Sequence, residues 1–388
     1  MSSRRPEVAD VLRTFGAAYR EDYPVSLDQL RVLSQLPLCR TASLGGHKLE
    51  CDNCGHQQIS YNSCRNRHCP KCQAAARAEW LGAREQELLD VPYFHVVFTL
   101  PDELAAIALQ NQRVCYGLLF QAAAETLRTI AADPKHLGAQ VGFLAVLHTW
   151  TQTLRHHPHV HCVVPGGGIS PDQDRWISCS ENFFLPVRVL SRLFRRLYLK
   201  KLQKARDGGD IELHGRLEDL RRSSAWNETV AQLRRKEWVV YAKPPFGGPT
   251  QVLKYLARYT HRVAISNQRL VAVDDQGVSF RWKDRSATPG TKTMHLAGLE
   301  FVRRFLLHVL PKGFVRIRHF GFLANRIRAD KLDLARRLIA REPQKRLVSN
   351  NGKAQPPTPT DRCPRCSTGR LVVVEELLPG HPDLLDTS

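Results

Sequence analysis

The apolar residues of this chain change their period along its length. Between residues 5 and 38, Val11, Leu12, Phe15, Leu27, Leu30 and Leu33 fall at helical spacings. Residues 73–90, QAAARAEWLGAREQELLD, are rich in Ala, Glu and Leu and predict a further helix. YFHVVFTL, residues 93–100, then predicts a buried strand stopped by Pro101. A long helical pattern fills roughly 102–132, and strand-like runs follow at 140–148 (QVGFLAVLH) and 159–164. Residues 186–237 read as helical and strongly basic, and residues 238–245 as a strand. Beyond them come a helix near 250–259, a hairpin over 270–282 turning at Asp275 to Gly277, and a helix near 295–309. The segment after Arg341 is rich in Pro, Ser, Asn and Lys and predicts a linker and a loose tail.

Strands and helices thus alternate through the middle of the chain, without the short regular rhythm of a doubly wound sheet. The expected class is α+β, an antiparallel sheet covered by helices. At 388 residues there is room for two or three domains, and no internal repeat is visible.

Charge changes this picture more than composition does. Lys plus Arg number 57 against 37 for Asp plus Glu, a net charge of +20. Such a surplus points to a polyanionic partner, nucleic acid before a membrane surface, because no basic helix carries a membrane-like apolar face. The start, MSSRRPEVAD, lacks the apolar core of a signal peptide, and no stretch approaches a membrane span. A cytoplasmic location is expected. From Arg188 to Arg206 there are eight Lys or Arg residues and no acidic one, so Arg195, Arg196, Lys200 and Lys201 are candidate DNA contacts.

The 11 cysteines do not suggest a disulfide framework, since six of them crowd between Cys39 and Cys72. Cys51-x2-Cys54 and Cys69-x2-Cys72 are two chelating pairs, and together they meet the tetrahedral demand of a structural Zn²⁺. Cys64, His56 and His68 lie between the pairs as substitute ligands. Arg65, Arg67, Lys71 and Arg77 put positive charge around the module. A third pair, Cys363-x2-Cys366, has no downstream partner and only His381 as a poor fourth ligand.

The segment RHHPHVHCVV places His159 and His161 two apart, hence on one face of a strand. An isolated pair of this kind is usually a polar patch on a solvated face. Here His148, at the end of the preceding strand run, can return beside them if the two strands are antiparallel. Three imidazoles with open positions would hold a divalent cation and leave room for a substrate oxygen. His157 is the fallback third ligand. The glycines Gly166 to Gly168 would let the chain leave closely past the site, against a DNA backbone. In KYLARYTHR, Tyr255 and Tyr259 are four apart and share a helix face. Core packing is the usual role of such a pair, but Lys254, Arg258 and Arg262 flank it and are further candidate DNA contacts. A phenol beside a basic cluster and a cation can attack a phosphodiester.

Taken together, these motifs resemble the two-tyrosine transposases of the IS-ninety-one insertion-sequence family. The stretches that carry the likeness are CDNCGH, SCRNRHCPKCQ, FHVVFTLP, HTWTQTLRHHPHVHCVVPGGG, YLARYTHRVAIS and LPKGFVRIRHFGFLANR, spanning about residues 35 to 330. The resemblance implies an HUH-endonuclease palm preceded by a small zinc-binding domain. It implies His159 and His161 as the HUH pair, His148 as a third ligand, and Tyr255 and Tyr259 as nucleophiles. It implies nicking and joining of single-stranded ends of a mobile element, through a 5′-phosphotyrosine, in rolling-circle transposition. Structural Zn²⁺ and a catalytic Mg²⁺ or Mn²⁺ are the expected metals. The partners are element ends and target DNA, in a bacterial, nucleoid-associated setting, with a homodimer as one assembly open to the chain. The expected boundaries are 1–90 for a helical, zinc-binding, DNA-contacting domain, 91–335 for the catalytic domain, and 336–388 for a basic tail with a lone CxxC. A relaxase or rolling-circle replication initiator would share the chemistry. A zinc-dependent DNA-binding protein without catalysis would not need both the histidines and the tyrosines.

Overall fold

A computed structural model describes residues 5–180, 184–246, 263–284, 290–341 and 362–380. In chain order, helices α1 (Val8–Asp22) and α2 (Leu27–Gln35) precede strands β1 (Gly46–Cys51) and β2 (Gln57–Tyr61). Helix α3 (Pro70–Glu85), strand β3 (Tyr93–Thr99) and helices α4 (Ala105–Gln110) and α5 (Gln112–Ala132) follow. Strands β4 (Gly142–Trp150), β5 (His156–Pro165), β6 (Gly167–Ile169) and β7 (Trp176–Ser178) come next. After them lie helices α6 (Val187–Asp207) and α7 (Ser223–Arg235), then strands β8 (Val240–Phe246), β9 (Leu270–Asp274), β10 (Gly277–Lys283) and β11 (Thr291–Leu296). The remaining elements are α8 (Gly298–Leu306), β12 (Ile317–Gly321), α9 (Arg328–Arg341) and β13 (Leu371–Leu377).

These elements form two compact units. One gathers Met1–Ala76, Arg262–Val309 and Asn351–Ser388; the other gathers Arg77–His261 and Leu310–Asn350. In the first, Pro24 and the Ser26 N-cap split the expected N-terminal helical region into α1 and α2. Ser26 and Gln29 form a reciprocal capping box there. Helix α8 packs on α1, and Gly298 permits it: a Cβ at that position would lie 2.2 Å from the Phe15 ring. Strands β9 and β10 form the expected hairpin, with Asp274 Oδ1 accepting from the N–H groups of Gln276 and Gly277. A third strand, β11, pairs with β10. The other sheet of this unit has the order β13-β1-β2. So residues 371–377, expected in a loose tail, are a sheet strand.

The second unit is built on a five-stranded sheet, β12-β4-β5-β3-β8, antiparallel at every pairing. Period-2 alternation sorts its residues between two faces. Phe94, Val96 and Phe98 of β3, with Phe143, Ala145 and Leu147 of β4, meet α5 and α6 in the main core. Burying each of the phenylalanines is worth about 1.5–3 kcal/mol. On the opposite face Leu144, Val146 and Val163 pack under Leu332, Ala335 and Leu338 of α9. Helix α9 covers that face at one end only, toward the start of β4. The other end carries the histidines. No described helix is long and apolar enough to cross a membrane.

The triple glycine departs from expectation. Gly166, Gly167 and Gly168 are buried. Cβ atoms there would meet the carbonyl oxygens of Pro92 at 2.9 Å, Ile177 at 2.6 Å and Gln140 at 2.6 Å. The glycines serve close internal packing at the opposite end of β5 from the histidines, so the proposed approach to DNA is withdrawn.

Candidate active site and metal clusters

The β4–β5 register sets His148 opposite His159, and Val146 opposite His161. Directly paired residues share a sheet face, so the three imidazoles converge. Their ring centroids are separated by 5.6 Å (His148–His159), 4.4 Å (His148–His161) and 4.8 Å (His159–His161). One nitrogen from each lies within 4.8 Å of the others. His148 and His161 are buried, and His159 is half-buried.

Neighbouring groups orient these rings. His159 Nδ1 donates to the His157 carbonyl at 2.7 Å, which leaves Nε2 as its ligand atom. His148 stacks on Trp150, with centroids 4.5 Å apart. His95 reaches across from β3, its Nε2 2.8 Å from His161 Nδ1, with the two rings nearly parallel. If His161 ligates through Nε2, its proton sits on Nδ1 and is donated to His95. That fixes both tautomer and ring angle. Burial pushes the His159 pKa down to about 4 and the His95 pKa down to about 3, the latter with help from Lys243 and His159. At neutral pH both are uncharged, as imidazole ligands and their supports must be. Three imidazoles on one sheet face, with a nitrogen from each close together, fit a divalent cation with positions left over.

The surrounding histidines take other roles. His157, the fallback ligand, has Nδ1 3.0 Å from Asp102 Oδ1 and does not join the cluster. His156 faces the opposite side, its Nε2 2.7 Å from the Tyr116 hydroxyl. On the site face, Val97 pairs with both His161 and Tyr241, and His95 pairs with Lys243, so β8 brings a half-exposed phenol and an ammonium to the same surface. Residue-by-residue reading missed His95. The signal was present, since it is the polar residue at an alternate position of an otherwise apolar strand. Tyr255, Tyr259, Lys254, Arg258 and Arg262 lie outside the described residues.

The cysteines form two clusters, not one site from Cys51, Cys54, Cys69 and Cys72. Cys69 and Cys72 join Cys39 and Cys64; Cys51 and Cys54 join Cys363 and Cys366. The β1–β2 hairpin explains the correction. Cys51 and Cys54 lie at its turn, whereas Cys39 and Cys64 flank its base, where Arg40 N–H donates to the Asn62 carbonyl. The six-residue strand β1, at about 3.3 Å per residue, holds the two ends apart. In the basal cluster the Sγ–Sγ distances are 3.6 Å (Cys39–Cys72), 3.6 Å (Cys64–Cys72) and 3.5 Å (Cys39–Cys69). A tetrahedron with Zn–S bonds of about 2.3 Å has edges of about 3.8 Å, so the thiolates stand close to zinc spacing. They are far beyond a disulfide bond. Pro70 opens α3 between Cys69 and Cys72, so the positive end of a helix faces two of the sulfurs.

The four basic residues singled out on α6 are not equivalent. Arg195 donates to the Lys236 carbonyl at 2.6 Å, and Lys201 pairs with Glu125 at 2.8 Å. Arg196 and Lys200 are exposed, and line a groove with Arg192 and Arg234.

Comparison with known proteins places these features in context. Residues 142–331, which hold the three histidines, match a family model described as "Putative transposase". Residues 11–100 match one described as "Transposase zinc-binding domain". The "Putative transposase y4qJ" of Sinorhizobium fredii (strain NBRC 101917 / NGR234) is 54% identical over 403 aligned positions, covering 100% of both chains. The "Transposase for insertion sequence element IS801" of Pseudomonas savastanoi pv. phaseolicola is 29% identical over 303 positions, covering 77% of this chain and 71% of that one. No solved structure matches.

Proposed function

The chain belongs to the IS-ninety-one family of transposases with an N-terminal zinc-binding domain, and we propose that it cuts and rejoins single-stranded DNA at the ends of a mobile element. The observation that carries this reading is the convergence of His148, His159 and His161 on one face of the central strands, with His95 behind them. A Mg²⁺ or Mn²⁺ ion held there would polarise a scissile phosphate.

The protein's own groups do the rest. His148, His159 and His161 present imidazole nitrogens, and His95, with Nε2 2.8 Å from His161 Nδ1, would hold the tautomer that leaves Nε2 of His161 free to ligate. Exposed Arg196 and Lys200 on α6 take the DNA backbone. Tyr255 or Tyr259 attacks the phosphorus through its phenolic oxygen. The bond to the 3′ oxygen breaks, giving a 5′-phosphotyrosine and a free 3′-OH. Attack of a 3′-OH on that phosphotyrosine restores a phosphodiester and frees the tyrosine, so the bond energy is conserved and no ATP is needed. The sequence has no GxxxxGK[ST] loop, in keeping with this economy. Two tyrosines four apart in sequence supply two nucleophiles, which allows two successive cleavages, as rolling-circle transfer requires. Lys254, Arg258 and Arg262 flank the pair in sequence, and positive charge beside a phenol favours the phenolate.

The test is covalent capture of a labelled single strand carrying an element end, in the presence of Mn²⁺, read on a denaturing gel. The wild-type chain and each single Phe variant should retain the label, and Tyr255→Phe/Tyr259→Phe should not. An adduct in the double variant would refute the nucleophile assignment. Strand binding without cleavage by the wild-type protein would favour a non-catalytic DNA-binding protein.

A further inference from the structure

We propose that the C-terminal segment closes a second zinc site, so that the zinc-binding domain is assembled from both ends of the chain and holds two Zn²⁺ ions. The sulfurs of Cys51 and Cys366 are 3.7 Å apart, as are those of Cys54 and Cys363. All four sulfurs lie within 4.8 Å of one another. These spacings match the roughly 3.8 Å edge of a zinc–thiolate tetrahedron. Cys363 and Cys366 fall outside the residues 11–100 that match the zinc-binding family model.

The surroundings are those of a metal knuckle rather than of chance proximity. The Arg365 N–H points to Cys363 Sγ at 3.4 Å, and the Gly369 N–H to Cys366 Sγ at 3.3 Å. The Asn53 side-chain amide donates to the same Cys366 sulfur at 3.8 Å. Such N–H donors stabilise thiolate charge, which four sulfurs around one Zn²⁺ leave in excess. A Cβ at position 369 would lie 2.5 Å from Cys51 Sγ, so Gly369 makes the approach of the two turns possible.

The backbone commits to the same arrangement. Asp52 N–H donates to the Arg370 carbonyl at 3.0 Å, and Arg370 N–H to Asp52 Oδ1 at 2.8 Å. Strand β13 then runs antiparallel along β1, from Leu371 opposite Cys51 to Leu377 opposite Gly46. The exposed faces of β13 carry Val372, Val373 and Val374, which bury little. A strand with so little apolar burial needs another anchor, and four metal–sulfur bonds at its start provide one.

Zinc is counted in the full-length protein, purified without chelator, by elemental analysis. The expected content is two Zn²⁺ per chain for the wild type. Cys363→Ser/Cys366→Ser should retain one, and Cys39→Ser/Cys72→Ser should also retain one. Because a serine variant can misfold, zinc absorption-edge spectroscopy on the wild type gives a second measurement. It should report sulfur in the first shell of both ions. Amide exchange should also show β13 protected in the wild type and unprotected in Cys363→Ser/Cys366→Ser. One zinc per wild-type chain, two zincs retained without Cys363 and Cys366, or a first shell rich in nitrogen or oxygen would each overturn the proposal. So would disulfides Cys51–Cys366 and Cys54–Cys363 in the freshly isolated protein. None of these readouts depends on DNA cleavage.

Discussion

Replacing His95 by Phe isolates one hydrogen bond behind the histidine cluster. His95 is only 4% exposed, and its ring lies parallel to that of His161 with centroids 5.0 Å apart. Phenylalanine keeps a ring of similar volume in that slot. It removes the Nε2 that lies 2.8 Å from His161 Nδ1 and accepts its proton when His161 ligates through Nε2. A buried donor left without its acceptor costs about 1–3 kcal/mol. That matches the roughly 10–100-fold loss of metal affinity typical when a support behind a ligand is removed. His95→Phe should therefore raise the Mn²⁺ dissociation constant about 10–100-fold, measured by spin resonance on the protein alone. The Mn²⁺ needed for half-maximal nicking should rise in step, and the rate at saturating Mn²⁺ should stay near the wild-type rate. His95→Gln, whose amide oxygen can accept, should fall in between. A purely structural role would lower the melting temperature and leave Mn²⁺ affinity alone. Wild-type Mn²⁺ affinity in His95→Phe would refute the reasoning.

Other expectations follow from the same geometry. His148→Ala should abolish nicking, while His157→Ala, which loses a partner of Asp102, should nick at close to the normal rate; the reverse result would exchange their roles. Arg196→Gln/Lys200→Gln should weaken single-strand binding and reduce the slope of log affinity against log salt by about 1.4, two phosphate contacts at roughly 0.7 each. An unchanged slope in a salt titration would remove α6 from the DNA path. Burial first, with the nearby charge of His157, lowers the pKa of His156 to about 4, below the ordinary histidine value near 6.5. The folded state thus favours the neutral ring, so its contribution is complete above pH 6.5 and is lost as pH falls toward 4. His156→Gln, which can still bond Tyr116, should reduce the fall of melting temperature across that window, which His159 and His95 share; an undiminished acid slope would assign the loss to other groups.

Much of the architecture was legible from local pattern. The apolar runs at 93–100 and 140–148 became the strands β3 and β4, because period-2 burial on a two-faced sheet leaves a local trace. The α+β class follows from the same trace, as does the hairpin at Asp274–Gly277. Short edge strands were less visible. Ile317–Gly321 carries Arg318 and His319 among its few residues, and its strand character comes from pairing with β4. The β1–β2 hairpin was hidden because none of its five-residue to six-residue strands holds a run of apolar side chains.

The sequence by itself determined which residues could do chemistry. The HxH spacing puts two imidazoles on one strand face, and a CxxC turn brings two thiols within reach of one ion, since both are properties of a few consecutive residues. What those groups meet was decided only by the tertiary structure. Strand register put His148 opposite His159 and His95 behind His161. Hairpin length kept Cys51 and Cys54 away from Cys69 and Cys72, and strand pairing brought Cys366 to Cys51 across 315 residues and Cys363 to Cys54 across 309. Spacing along the chain reports chelation within a turn. Which turns face each other depends on pairing energies summed over whole strands, and these leave no local mark.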